Sequence, residues 1–512
     1  MNDREPFIYI KQMYMKGFFD LEENCKEKII SEDYWDFIIP LYRDEELKEV
    51  NPENACIQEM DFGYKSVSVD RRILLPLSFR EYWYSTIPKC YTLLDMQPLD
   101  AAGIITLQNY PTLQLMGDGI MIGFLDTGID YQNRVFRNLD GTTRIVGIWD
   151  QTIQTGRTPQ GLYYGTEYTE EMINAALRSE DPLQIVPSVD TDGHGTFVAS
   201  AAAGGAEVGK QFLGAAPEAS IAMVKLKPAK NYLKEFFAIA QDAVCYQEND
   251  IMLGIKYAES FVQLFERPVV ICLGLGTNQG DHAGNSSLSR YLSSLAVRRS
   301  RAAIVCGGNE GNASHHYRGR LSAQTPEESS RDVEIRVSEG CIGFWLELWG
   351  ALPDAFNLSI RTPGGENIPE LRLGLQQSVT YSFIYEKSRV TIDSALVEEN
   401  SGEELILVRI QDPTPGIWTF HVSASGSLYN GNFHMWLPIT EFLSTPVYFL
   451  NPDPDMTLTE PSMAPEVLSV STYNAENNSF YAESGRGFGR TGQIRPDLSA
   501  PGVNISTIDG RR

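Results

Sequence analysis

The stretch GIMIGFLDTGID, Gly119 to Asp130, decides the fold. Its first half is a nearly unbroken apolar run, the pattern of a strand buried on both faces. Its second half turns, with Asp126 and Thr127 running into Gly128. A strand buried on both faces needs helices on both sides, and the following text supplies them. TFVASAAAGG (196–205) reads as a small-residue helix with a glycine stop, and DIMLGIKYAESFVQLF (250–265) has helical periodicity. PVVICLGLG (268–276) is a strand, SLSRYLSSLAVRRS (287–300) a helix and AAIVCGGNEGN (302–312) a strand again. The alternation predicts an α/β fold, a parallel sheet with helices on both faces.

Outward from this core the texture changes twice. Residues 1–92 are mixed and polar with aromatic patches such as EDYWDFIIPLYRDEE, and carry no catalytic pattern. Between 326 and 454, segments such as DVEIRVSEG, FNLSIRTPGGE, ELILVRIQDPTPG and IWTFHVSA are short and broken by Pro and Gly, as in an all-β sandwich. The α/β texture returns with APEVLSVSTYN and continues to Arg512, so the β module reads as an insertion in one α/β domain spanning 93–325 and 455–512.

Bulk properties narrow the function classes. The chain has 512 residues, 42% hydrophobic and 21% charged, and a formal net charge of −25. Such an acidic chain lacks the electrostatic footprint for nucleic acid or an anionic membrane surface. The first residues, MNDREPFIYIKQMYMKGF, lack an uninterrupted apolar core and a small-residue cleavage site, so no signal peptide is expected, and no apolar run reaches the length of a membrane span. Seven scattered cysteines without a CxxC argue against a disulfide framework or zinc site and for a reducing compartment.

In an open parallel sheet, functional groups gather past the carboxyl ends of the strands. Three such ends carry unusual residues. Asp126 ends FLD, although an aspartate there is often only a turn former. His194 lies between Gly193 and Gly195 at a helix entry, where the glycines permit close approach of backbone and ligand. Asn309 follows Gly307-Gly308, where its amide can donate into a cleft without bearing a titratable charge. A carboxylate orients an imidazole, the imidazole moves the nucleophile's proton, and an amide stabilises the tetrahedral oxyanion.

The order Asp, His, Asn in FLDTGID, DGHGTFVAS and GGNEGN resembles the corresponding motifs of subtilisin-like serine proteases, and RPDLSAPGVNI (495–505) resembles the stretch before their serine. The likeness covers the chain from about residue 93 onward. It implies a three-layer subtilisin-like domain, with Asp126 as orienting carboxylate, His194 as general base and Asn309 as oxyanion donor. IVGIWDQT, CYQENDIMLGIKYA and GTNQGDHAGNSSLSRYL are similar to the Csp proteases of clostridial spores. That group implies a retained α+β prodomain over residues 1–92, able to occupy the cleft, and a jelly-roll insertion. It also implies a role in germination proteolysis and a cytoplasmic or spore-associated location. The family's substrate-binding strand corresponds to Gly274, Leu275 and Gly276, where a peptide would pair backbone to backbone. Cys272 and Gly274 stand where Asn and Ser are usual. The implied partners are a protein or peptide substrate and the chain's own prodomain. No organic cofactor is needed, and calcium, common in the family, has no legible ligand set.

One part is missing. The family's nucleophile lies in a Gly-Thr-Ser motif opening a buried helix, and no such motif occurs in the 512 residues. Ser484, Ser499 and Ser506 lack that strand-to-helix setting. Two explanations stand: the serine is encoded beyond Arg512, or the chain is a pseudoprotease that binds peptide or prodomain without cleaving. The intact Asp126, His194 and Asn309 favour the first.

Overall fold

The computed structural model describes residues 25–503, except 44–50, 52, 95–103, 111–114, 208, 210–211, 323, 326–327 and 372–373, and also the backbone at 506–507 and 510–511. The extreme N-terminus and the side chain of Ser506, both weighed above, lie outside the described residues.

Near the N-terminus, helix α1 (Cys25–Ile30) packs on three antiparallel strands, β1 (Tyr34–Pro40), β2 (Ala55–Glu59) and β3 (Tyr64–Asp70), with β3 central. A disulfide joins Cys25 to Cys56. This corrects the expectation of reduced cysteines. The two are 31 residues apart in sequence, and only the packing of α1 over the sheet brings their Cα atoms to 5.2 Å. The chain then leaves this sheet and runs out as β4 (Cys90–Leu93).

The α/β body is built on β5 (Met121–Asp126), β6 (Ile145–Asp150), β7 (Thr166–Thr169) and β8 (Ser220–Lys225), joined later by β10 (Val269–Leu273) and β12 (Arg301–Cys306); the short β9 (Tyr246–Gln247) and β11 (Leu275–Gly276) stand apart. The order is β12-β10-β5-β8-β6-β7, parallel except for β7. Because side chains alternate along a strand, β5 sends Met121 and Leu125 to one core and Ile122 and Phe124 to the other. The first core is filled by α5 (Glu248–Phe265) and α6 (Ser287–Ala296). The second is filled by α2 (Glu170–Arg178) and α3 (His194–Ala203). A further helix, α4 (Asn231–Phe236), lies outside both cores.

Eleven strands follow: β13 (His316–Arg320), β14 (Ser330–Val337), β15 (Gly343–Gly350), β16 (Phe356–Arg361), β17 (Asn367–Leu371), β18 (Gln376–Ser382), β19 (Arg389–Ala395), β20 (Glu404–Gln411), β21 (Gly416–Ala424), β22 (Asn432–Trp436) and β23 (Val447–Phe449). They form two antiparallel sheets, ordered β13-β22-β15-β20-β19-β18 and β17-β16-β21-β14-β23. The first of them, β13, pairs with β22 and lies ahead of position 326, where the β texture begins in the sequence; its polar text HYRGR carries little apolar signal to announce it. Every residue of β15 is buried. Phe344, Leu346 and Leu348 face the sandwich core, while Trp345 and Trp349 enter a core shared by three parts of the chain. That core also takes Phe37, Val67, Tyr84 and Ile87 from the N-terminal region and Tyr232, Leu233 and Phe236 from α4. The chain then rejoins the parallel sheet as β24 (Leu468–Asn474) beside β12, with the antiparallel β25 (Ser479–Phe480) and the parallel β26 (Leu498–Pro501) beside β24.

Candidate active site

Strands β12, β10 and β5 are neighbours, and their carboxyl ends hold Gly307-Gly308-Asn309, Gly274 and Asp126. Asp126 is the last residue of β5 and is almost fully buried. His194 opens α3, whose first turn lies directly on the turn after β5. A methyl on Gly195 would come within 2.2 Å of the Gly128 carbonyl oxygen, so only glycine lets the helix start here. The result is a direct pair: His194 Nδ1 lies 2.8 Å from Asp126 Oδ1 and 3.0 Å from Oδ2. The Thr127 N–H donates to the same Oδ1 at 2.7 Å.

Asp190 braces this turn, and its role is not evident in DTDGHG. Its carboxylate accepts from Thr127 Oγ1, the Gly193 N–H and both the N–H and hydroxyl of Thr196. Burial opposes its ionisation, but these donors prevail and hold its carboxyl below the usual range.

Asn309 is half-buried, in a loop fixed on both sides. The Gly307 N–H donates to the Val470 carbonyl, and the Gly311 N–H to that of Glu483. Glu310 points inward, where it accepts from His315 Nδ1 at 2.5 Å, Asn278 Nδ2 at 3.0 Å and the Thr440 N–H at 3.1 Å. Sequence inspection missed Glu310, since two of its three partners, Asn278 and Thr440, lie 32 and 130 residues away. Ser484 is buried and accepts from the Thr472 N–H, and Ser499 is an exposed residue of β26. Burial pushes the Cys272 thiol up to about 12, so this neighbour of the site is no thiolate nucleophile at neutral pH.

Across Gly274–Gly276 lies β4. It is the middle strand of a small sheet ordered β11-β4-β9. Leu93 pairs with Leu275 and Thr92 with Gly276, antiparallel, and the Leu94 N–H donates to the Gly274 carbonyl at 2.7 Å. A methyl on Gly274 would lie 3.4 Å from the Leu94 carbonyl oxygen, 3.8 Å from His194 Cε1 and 3.9 Å from Asp126 Oδ2. The Leu94 carbonyl therefore sits beside the Asp126–His194 pair. Its side chain, 2% exposed, reaches over Gly276, where a methyl would come within 2.5 Å of Leu94 Cδ1 and 2.4 Å of Thr459 Oγ1. The Thr459 hydroxyl is buried and has no hydrogen-bond partner among the described residues.

The subtilase family profile matches residues 117–331. The CspB protease of Clostridium perfringens is 30% identical in sequence, the alignment covering 80% of this chain and 81% of that one, with a TM-score of 0.68. The chain belongs to the subtilase family. MycP1 with its N-terminal propeptide removed aligns over 80% of this subtilase and 76% of its own length, at 11% identity and a TM-score of 0.32, too low to carry an argument. No curated protein sequence matches this subtilase significantly. Among the described residues, no helix is long and apolar enough to cross a membrane, and no group of three or more His, Cys, Asp or Glu side chains is placed to hold a metal ion.

Proposed function

We propose that the chain is a serine endopeptidase that hydrolyses peptide bonds through an acyl-enzyme. His194 is the general base that takes the serine's proton and returns it to the leaving amine. Asp126 orients the imidazole and stabilises its charged form. Asn309 donates to the oxyanion, a contribution worth roughly 10²–10³ in turnover. The backbone of Gly274, Leu275 and Gly276 holds the substrate as an added strand. The nucleophile is a serine encoded after Arg512, since no serine in the sequence has the family's Gly-Thr-Ser setting.

The observation that carries this reading is β4. A strand already lies antiparallel on β11, with the Leu94 carbonyl beside Asp126 and His194. Residues 1–92 thus act as a prodomain whose strand β4, with Leu94, is seated in the cleft, and the bond after Leu94 is the one self-processing would cut. The likeness to the Csp proteases extends the proposal to germination proteolysis in a cytoplasmic or spore-associated setting.

The test uses the chain extended through its own reading frame. A fluorophosphonate should label the serine beyond Arg512, labelling should vanish in His194→Ala, and mass spectrometry should find a new N-terminus at Asp95. No Gly-Thr-Ser codons downstream, or no labelling of the extended chain, would refute the proposal and leave a peptide-binding pseudoprotease.

A further inference from the structure

Strand β4 has a second edge, which bears two thiols. Cys90 pairs with Gln247 and Tyr91 with Tyr246, antiparallel. One step on, Thr92 Oγ1 donates to the Val244 carbonyl at 3.0 Å. Residues two apart share a face of a strand, so Cys90 lies on the same face as Cys245 and diagonal to it. Both are free and fully buried, and each thiol shifts the ionisation of the other. They sit at the seam between the N-terminal region and the α/β body. Neither takes part in the proposed chemistry.

The two thiols are not equivalent. The neighbouring Cys90 thiol holds the Cys245 thiol below its usual value against the effect of burial, and the Lys234 ammonium assists. Lys234 is anchored nearby, donating to the carbonyls of Gln241 and Ala243 at 2.9 and 2.8 Å. The Cys245 thiol, together with burial, holds the Cys90 thiol well above its ordinary range. Lys234 is held by Gln241 and Ala243, not by β4, so its ammonium stays beside Cys245 when β4 leaves and favours that thiolate as the attacking sulfur, with Cys90 as the resolving thiol.

We infer that Cys90 and Cys245 form a redox tether, closing to a disulfide that fastens β4 in the cleft and opening on reduction. The oxidant is a low-molecular-weight disulfide. The Cys245 thiolate attacks one of its sulfurs and expels a thiolate, giving a mixed disulfide. The Cys90 sulfur then displaces the second small thiol and gives up its own proton to solvent. The two cysteines lose two electrons and the small disulfide becomes two thiols. Exchange takes place while β4 is unseated, because the seated sulfurs are out of reach of solvent. The regulatory consequence rests on the proposal that β4 occupies the substrate position. Cys90 precedes Leu94 by four residues, so the tether keeps the inhibitory strand in place after the chain is cut there.

The experiment equilibrates the full chain with oxidised glutathione, denatures it, and counts thiols that react with iodoacetamide. The count should fall from five free thiols to three, with a Cys90–Cys245 linked peptide in the digest. Cys90→Ser should stop at the glutathione adduct of Cys245, losing one of its remaining four thiols and gaining one glutathione in mass, and Cys245→Ser should lose none. In a chain nicked at a protease site inserted between Asp95 and Gly103, the N-terminal fragment should stay attached in denaturant until a reductant is added. Five thiols remaining after oxidation, a linked Cys272–Cys306 pair instead, or an unchanged loss of two in the serine variants would overturn the inference. The count needs no catalysis, so failure of the protease proposal would leave it standing.

Discussion

Glu347 gives the sharpest prediction. It lies on β15 with its side chain completely buried where the N-terminal region, the loop after β11 and the sandwich meet. It accepts from the Tyr84 hydroxyl at 2.6 Å, the Gly280 N–H at 3.0 Å and Trp349 Nε1 at 2.9 Å. Burial pushes its carboxyl from the ordinary 4.5 up to about 7, against the pull of those donors and of Lys89. A carboxyl raised in the folded state binds its proton there while the unfolded chain has already released its own. Its contribution is therefore complete below about pH 4.5 and is lost as pH rises through 7. At about 1.4 kcal/mol per tenfold change in proton affinity, the loss is about 3 kcal/mol. Glu347→Gln copies the protonated form: the amide NH₂ donates to the Tyr84 oxygen, and the carbonyl accepts from Gly280 and Trp349. The variant should match the parent in urea unfolding at pH 4.5 and exceed it by about 3 kcal/mol at pH 8.5. Equal destabilisation at both values would show that Glu347 is held ionised by its donors, and would refute the reasoning.

Leu94→Ala should cost about 2–5 kcal/mol as a buried truncation and speed amide exchange at Gly276, measured by mass spectrometry; unchanged exchange would place the anchoring of β4 elsewhere. Asp190→Ala removes the acceptor of four donors around the His194 turn, leaving buried N–H groups unpaired at about 1–3 kcal/mol each, and should lower the midpoint of thermal unfolding by several degrees. In the serine-containing extended chain, Asp126→Asn should lower kcat by about 10⁴ through the wrong imidazole tautomer. In the same protein Asn309→Ala should lower it by roughly 10²–10³ with little change in KM.

Much of the site was legible because its residues follow local rules. FLDTGID and IVCGGNEGN announce strand ends by an apolar run meeting glycine, and GHGTFVAS announces a helix by its small residues. What escaped depends on pairing across long sequence separations. Nothing in KCYTLLD says that Leu94 will lie on Gly274, since the match is made by backbone atoms that every residue carries. Glu310 reads as one more polar loop residue until His315, Asn278 and Thr440 converge on it. Cys25 and Cys56 read as two of seven scattered thiols until α1 lies over the sheet. In GFWLELWG the run of buried residues hides the fact that its two faces serve different cores.

The core that joins three parts of the chain also sets a timetable for folding. Phe37, Val67 and Tyr84 emerge early from the ribosome, yet Trp345, Trp436 and Phe442, which cover them, come several hundred residues later. At synthesis rates of about 5–20 residues per second, the early aromatic face waits roughly 20–70 s for its partners. Contacts this distant in sequence make closure slow. During that interval the nascent N-terminal region exposes an apolar surface of the kind that chaperones hold. The same distance slows the reverse process, because the core cannot be opened from one end of the chain alone.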